Sequence, residues 1–353
     1  MLAAREPPVI PTFNCPALPS PPPANNVNQL RPGNIKVTMA VGDSISAGFA
    51  MKSGHFWDVK TDFVEYRGSV FSIGGDENMT TIPNFLKNYN PDIVGYSINK
   101  SLPLDAVSFD DHILVPWDPF VTHLNGAQSG ARIEDVPAQV DYIIQMLKTT
   151  YRTQVNMQND WKLFTIFIGA NNICPSCNHP TYSQPEFYEE YLQEILTKIY
   201  TEIPRTFVNI VPMFNISQVW RIHETDPYCI LMWDTLCRSE CGCLTDNSTA
   251  EDRAIMDQTS VEFNDVIYKV ANEWIAKNLP EFTVRVQPFI QDLVIPLDIG
   301  VFFVSELDCF HPSLLADQAF AIGLWNNMLT SDKQTLDPNN VYINCPTEDT
   351  YLQ

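Results

Sequence analysis

The sequence predicts an α/β fold, a doubly wound sheet of five mainly parallel strands with interleaved helices and loop insertions, and three observations predict it. Short β-branched or aromatic runs alternate with helical patterns, the signature of βαβ units. The chain has 353 residues, 45% of them hydrophobic, with seven Trp and 20 Phe; this supplies one large core and excludes a disordered or collagen-like chain. The motifs able to carry chemistry stand directly behind predicted strands, where open α/β sheets bind their ligands.

In chain order, residues 7 to 32 hold clustered prolines, Pro21, Pro22 and Pro23 among them, and read as an extended arm laid over the surface. The chain then divides into an arm over 1–32, one domain over 33–330 and a loose tail over 331–353. Ile35 to Val41 is the first strand and Val121 to Asn125 the second. Asp135 before Val136 and Pro137 predicts an N-cap with proline in the first turn, opening a helix to about Thr150. Leu163 to Ile168 is the third strand, followed by a helix from Pro185 to Tyr200. Thr206 to Val211 is the fourth, followed by a helix from Glu251 to Asn278. Thr283 to Gln287 is the fifth, and a helix from Pro312 to Met328 closes the pattern.

Of nine cysteines, Cys174 and Cys177 lie close together and Cys229, Cys237, Cys241 and Cys243 share one stretch, which predicts disulfide-stapled loops in an extracellular or secretory-lumen setting. Zinc is the rival reading, but the spacing matches no standard ligand pattern. Cys15 in the arm and Cys345 in the tail are one candidate pairing among the many that nine cysteines allow, with one thiol left over. Four Asn-x-Ser/Thr sequons, at Asn78, Asn99, Asn215 and Asn247, point to the same compartment. The start, Met1 to Pro8, shows no apolar leader, and no uninterrupted apolar stretch reaches membrane-spanning length. A net charge of -21 repels phosphates, which makes nucleic acid and strongly anionic membranes poor partners and suits neutral or zwitterionic substrates better.

Behind the first strand comes Gly42-Asp43-Ser44, where a turn of small residues would lift the Ser44 hydroxyl to the sheet's upper edge. Such a tripeptide alone is most often only a turn. Near the other end, Asp308-Cys309-Phe310-His311 stands before the last helix, and one tight turn lets the carboxylate reach the imidazole. There it would fix the tautomer of His311 while the other ring nitrogen removes the Ser44 proton. Acyl transfer also needs donors for the developing oxyanion. Asn171, behind the third strand, offers a side-chain amide; Gly130, behind the second, offers a backbone N–H with no Cβ to block approach. Ser72-Ile73-Gly74-Gly75 competes for the glycine's part. His55, His112, His123, His179 and His223 read as surface or loop residues. Cys309 reads as a disulfide or packing residue, and Trp117 to Phe120 as an acyl cleft or as core.

These blocks, with Ser72 to Asp76, Glu134 to Gln139, Asp160-Trp161-Lys162, Phe289 and Leu324 to Met328, resemble the SGNH hydrolases and within them the phospholipase B group of GDSL lipases, from Cys15 to Cys345. The resemblance implies a flavodoxin-like three-layer α/β/α sandwich, Ser44 as nucleophile, Asp308 and His311 completing a triad, and Gly130 and Asn171 with the Ser44 N–H as oxyanion donors. No cofactor or metal is implied. The implied activity is hydrolysis of carboxylic esters in phospholipids or lysophospholipids; the net charge, not the resemblance, suggests a neutral or zwitterionic membrane surface as partner, and the oligomeric state is not implied. Acetylated carbohydrate or a small ester is the alternative substrate, and a catalytically silent binding or structural protein the alternative class. The family usually has Gly-x-Asn-Asp where this chain carries Asn172, so Asn172→Asp is expected to leave activity level or raise it.

Overall fold

The computed structural model describes residues 6–54, 59–102, 107–109, 112–235, 237–238, 240–245 and 247–353. The first residues of the chain and His55 lie outside them. Four strands form the central sheet: β1 (Ile35–Gly42), β2 (Trp161–Phe167), β3 (Thr206–Ile210) and β4 (Phe282–Val286), in that order and each parallel to the next. β2 and β3 are buried along their whole length, as strands covered on both faces should be.

The connections are α1 (Ser44–Ala47), one turn behind β1; α2 (Val136–Lys148); α3 (Ala170–Ile173), one turn behind β2; α4 (Pro185–Glu202); α5 (Pro227–Thr235); α6 (Ala250–Ala276); and α7 (Leu314–Met328). α2, α4 and α6 pack side by side as the crossovers. α7 lies on the other face, where Phe320 and Phe289 meet Phe71, and Phe71 meets Phe167 at the end of β2. The result is an α/β/α sandwich.

Among the described residues the sheet has four strands and not five. Val121 to Asn125 is no strand: Asp118 accepts a hydrogen bond from the Phe120 N–H and Pro119 follows in the first helical position, so 119–122 winds into a helical turn. Only Asn125 bridges to Ala40, through Ala40 N to Leu124 O and Gly126 N to Ala40 O. The segment therefore still reaches the carboxyl end of β1. The helix behind Asp135 does begin at Val136 with Pro137 in its first turn, but the Asp135 side chain makes no cap bond to it, and the last helix starts later than Pro312. Asp135 closes a 3-10 turn by accepting from Arg132 N, and α7 begins at Leu314 because Ser313 caps it through the Ala316 N–H.

Four disulfides hold the loops: Cys15–Cys345, Cys174–Cys241, Cys177–Cys243 and Cys229–Cys309; Cys237 is free and buried. The arm is bound to the body, with Phe13 stacked on Phe85 and the Trp161 indole N–H donating to Ala24 O. No helix among the described residues is long and apolar enough to cross a membrane. Asn78, Asn99, Asn215 and Asn247 are all exposed.

Candidate active site

The site is built where β1 and β2 end together, Gly42 opposite Phe167. Gly42 is required there by close approach, since a Cβ would fall 2.3 Å from Phe167 O. The buried Gln139 amide of α2 clamps it from the other side, accepting from Gly42 N at 2.9 Å and donating to Gly42 O at 2.8 Å. Asp43 then caps α1 by accepting from the Ile45 N–H. Strand end, clamp and cap fix the backbone of Ser44, whose own N–H meets no protein acceptor among the described residues. Its side chain sits at the floor of a cleft.

His311 arrives from the far end of the chain. Asp308 Oδ1 accepts from the backbone N–H groups of Phe310 and His311, which folds the 308–311 turn around the carboxylate. Its other oxygen, Oδ2, lies 2.7 Å from His311 Nδ1. His311 Nε2 lies 2.8 Å from Ser44 Oγ. The carboxylate imposes the tautomer with the proton on Nδ1, leaving Nε2 to accept from the hydroxyl. All three side chains are buried. Burial draws the ring's affinity for protons down, but Asp308, Glu240 and Asp43 together outweigh it and hold His311 at about 9. Burial pushes Asp43 up to about 6 against its hydrogen bond from Ile45 and the nearby His311.

Cys309, between the pair, has φ +54°, a left-handed conformation uncommon outside glycine, and its disulfide to Cys229 ties this turn to α5. From α5 the Trp233 indole also donates to Asp308 O. Asn171 lies on α3 and lines the same cleft as Ser44 and His311. One of its two amide protons bonds Ala131 O at 2.9 Å, which leaves the second for a ligand and brings the side chain against the Gly130–Ala131 turn. Gly130 itself is half-buried, with φ +83° and an N–H that no protein group accepts among the described residues. Gly74 and Gly75 cannot replace it as donors, because their N–H groups already bond Val70 O and Ser97 O.

Asn172 is buried and fully used. Its Oδ1 accepts from Ile133 N, and its Nδ2 donates to Glu134 Oε2 and Tyr182 O. The amide is thus matched to its surroundings, since a carboxylate there would face Glu134 and a carbonyl with no proton to give. Ile45, Phe214, Ile216, Val219 and Phe310 give the cleft an apolar wall. Trp117 does not line it, being stacked on Tyr142, and Phe120 points to solvent. Of the other histidines, His179 is exposed and His223 stacks on Trp233.

Two contributors were not readable from spacing. The Gln139 clamp acts across 97 residues, and Glu240 Oε1 lies 3.7 Å from His311 Nδ1. Glu240, Asp308 and His311 are close enough together to hold a cation, but the 2.7 Å approach of Nδ1 to Oδ2 is the length of a charge-assisted hydrogen bond, which a proton fills.

The family described as GDSL-like Lipase/Acylhydrolase matches residues 39–324. The chain is similar to membrane-associated phospholipase B1 of Rattus norvegicus, 31% identical over 334 residues, 91% of this chain and 21% of that protein. It is as similar to membrane-associated phospholipase B1 of Homo sapiens, 31% identical over 340 residues, 93% of this chain and 21% of that one. The chain thus spans about a fifth of the length of these curated relatives. An extracellular lipase from Streptomyces rimosus aligns with 80% of this chain and 94% of its own at 16% identity and a TM-score of 0.34, a likeness too distant to argue from.

Proposed function

Because the chain belongs to the GDSL-like lipase/acylhydrolase family, we propose that it hydrolyses carboxylic esters of phospholipids or lysophospholipids through an acyl-enzyme on Ser44. The observation that carries this reading is the unbroken hydrogen-bond chain from Asp308 through His311 to Ser44, opening on an apolar cleft.

Ser44 Oγ attacks the ester carbonyl as His311 Nε2 takes its proton, and Asp308 stabilises the imidazolium that forms. The oxyanion is received by the Ser44 and Gly130 N–H groups and the free Asn171 amide proton. His311 then returns its proton to the leaving alcohol, which departs and leaves the acyl group on Ser44. Water, activated by the same ring, attacks the acyl carbonyl and releases the fatty acid. Ile45, Phe214, Ile216, Val219 and Phe310 take the acyl chain. The four disulfides and the exposed sequon asparagines support work outside the cell or in the secretory lumen, and a net charge of -21 supports a neutral or zwitterionic lipid surface.

The test is fluorophosphonate labelling followed by peptide mapping, with turnover measured on phosphatidylcholine, lysophosphatidylcholine and an acetylated sugar. Label on the Ser44 peptide and turnover of the two lipids are expected. An unlabelled Ser44 would remove the enzyme reading and leave a binding protein; turnover of the acetylated sugar alone would move the substrate class.

A further inference from the structure

A second carboxylate stands on the Asp308 side of the His311 ring. Glu240 Oε1 lies 3.7 Å from Nδ1, the nitrogen that Asp308 Oδ2 meets at 2.7 Å. Glu240 comes from outside the 308–311 turn, on a loop pinned by its neighbours. Its N–H bonds Cys237 O, Cys241 is joined to Cys174 and Cys243 to Cys177, just behind α3. Two carboxylates beside a neutral ring repel each other; beside an imidazolium both are attracted. A carboxylate held here by disulfides therefore favours the charged ring, the form made when Ser44 is deprotonated.

We propose that Glu240 is a positioning residue for the Ser44–His311 pair, a loop-borne second carboxylate that strengthens His311 as a base and sets the pH range over which it works. This rests on the acyl-enzyme reading given above. The charged and titratable groups around the ring are Asp308 from its own turn, Asp43 from the end of β1 and Glu240 from the cystine loop. Phe49 and Phe310 present uncharged rings edge-on. The Cys237 thiol, near both Asp308 and Glu240, is pushed up to about 12, chiefly by burial, and stays neutral throughout the range. Glu240 is partly exposed and Asp308 is not, so salt screens the first more than the second.

The experiment follows kcat/KM against pH for the full chain on a short-chain p-nitrophenyl ester, in the native protein, Glu240→Gln and Glu240→Asp, with Ser44 labelling recorded for each. Loss of the charge should move the acidic limb down by roughly one pH unit, the low end for an opposite charge at this range. The alkaline plateau should fall severalfold, while Glu240→Asp keeps part of the native position. In the native protein alone, high salt should move the limb in the same direction, which keeps the test in force if a variant fails to fold. A limb unmoved by both Glu240→Gln and salt, or moved equally by Gln and Asp, overturns the proposal. Failure of the native protein to label at Ser44 would instead overturn the acyl-enzyme reading beneath it.

Discussion

Ser44 and His311 share one hydrogen bond across 267 residues of chain, so their losses should not add. Ser44→Ala and His311→Ala should each remove nearly all ester turnover and the double variant little more. Asn171→Ala should lower kcat roughly a hundredfold to a thousandfold with little change in KM, the scale for one oxyanion donor. Steady-state kinetics on the four variants decide this, and an additive double variant would break the assignment. At Asn172 the geometry reverses the expectation drawn from the family pattern. Asn172→Asp should destabilise by about 1 to 3 kcal/mol and lower activity, because the donor to Glu134 and Tyr182 O is lost where water cannot replace it. Urea unfolding measures the first effect, and a variant as stable and active as the native chain would restore the earlier view.

At the scale of elements, the Cys229–Cys309 bridge closes 80 residues and Cys15–Cys345 closes 330, so on chain entropy the second should stabilise more, each by about 4 to 6 kcal/mol. Only the first grips the turn that holds Asp308 and His311. Removing Cys229–Cys309 by serine substitution should therefore cost at least tenfold in kcat at a temperature where the fold persists, and removing Cys15–Cys345 should cost stability with kcat nearly kept. Parallel losses in both variants would count against the distinction. The same elements explain what could be read in advance. β1, β2, β3 and β4 are short runs rich in β-branched and aromatic residues, and long helices such as α6 announce themselves by period, so sheet and crossovers were legible. Val121 to Asn125 misled because its β-branched start outweighed the Asp118-Pro119 cap in a short window. Ser44, Asn171, Asp308 and His311 carried local spacing and stand together in the fold. Glu240 and Gln139 carried none, because only disulfides and helix packing bring them to the site.

For the molecule as a whole, the buried Asp317 of α7 links stability to pH. Burial pushes it well above the carboxylate range, the Phe71 N–H and then Lys52 offset only part of this, and neither carboxyl oxygen makes a hydrogen bond of normal geometry. A raised folded-state value means that its contribution is fully present below the unfolded value of about 3.9 and is lost as pH rises above it. Asp317→Asn should therefore raise the melting temperature by a few degrees at pH 8 and by little at pH 4. Equal gains at both would mean that the charge is not the cause. The bridge between arm and tail has a mechanical meaning as well. Cys15 and Cys345 hold their Cα atoms 5.3 Å apart, so once the tail's bonds to Leu30, Met328 and Gln287 give way, tension applied on either side of the bridge passes from one sulfur to the other and does not load the chain between them. Pulled in a force spectrometer, the oxidised chain should yield almost no length, whereas after reduction it should release roughly 1,100 Å of hidden contour, the reach of 330 extended residues. Tension across the bridge would then leave the body between the two cysteines slack.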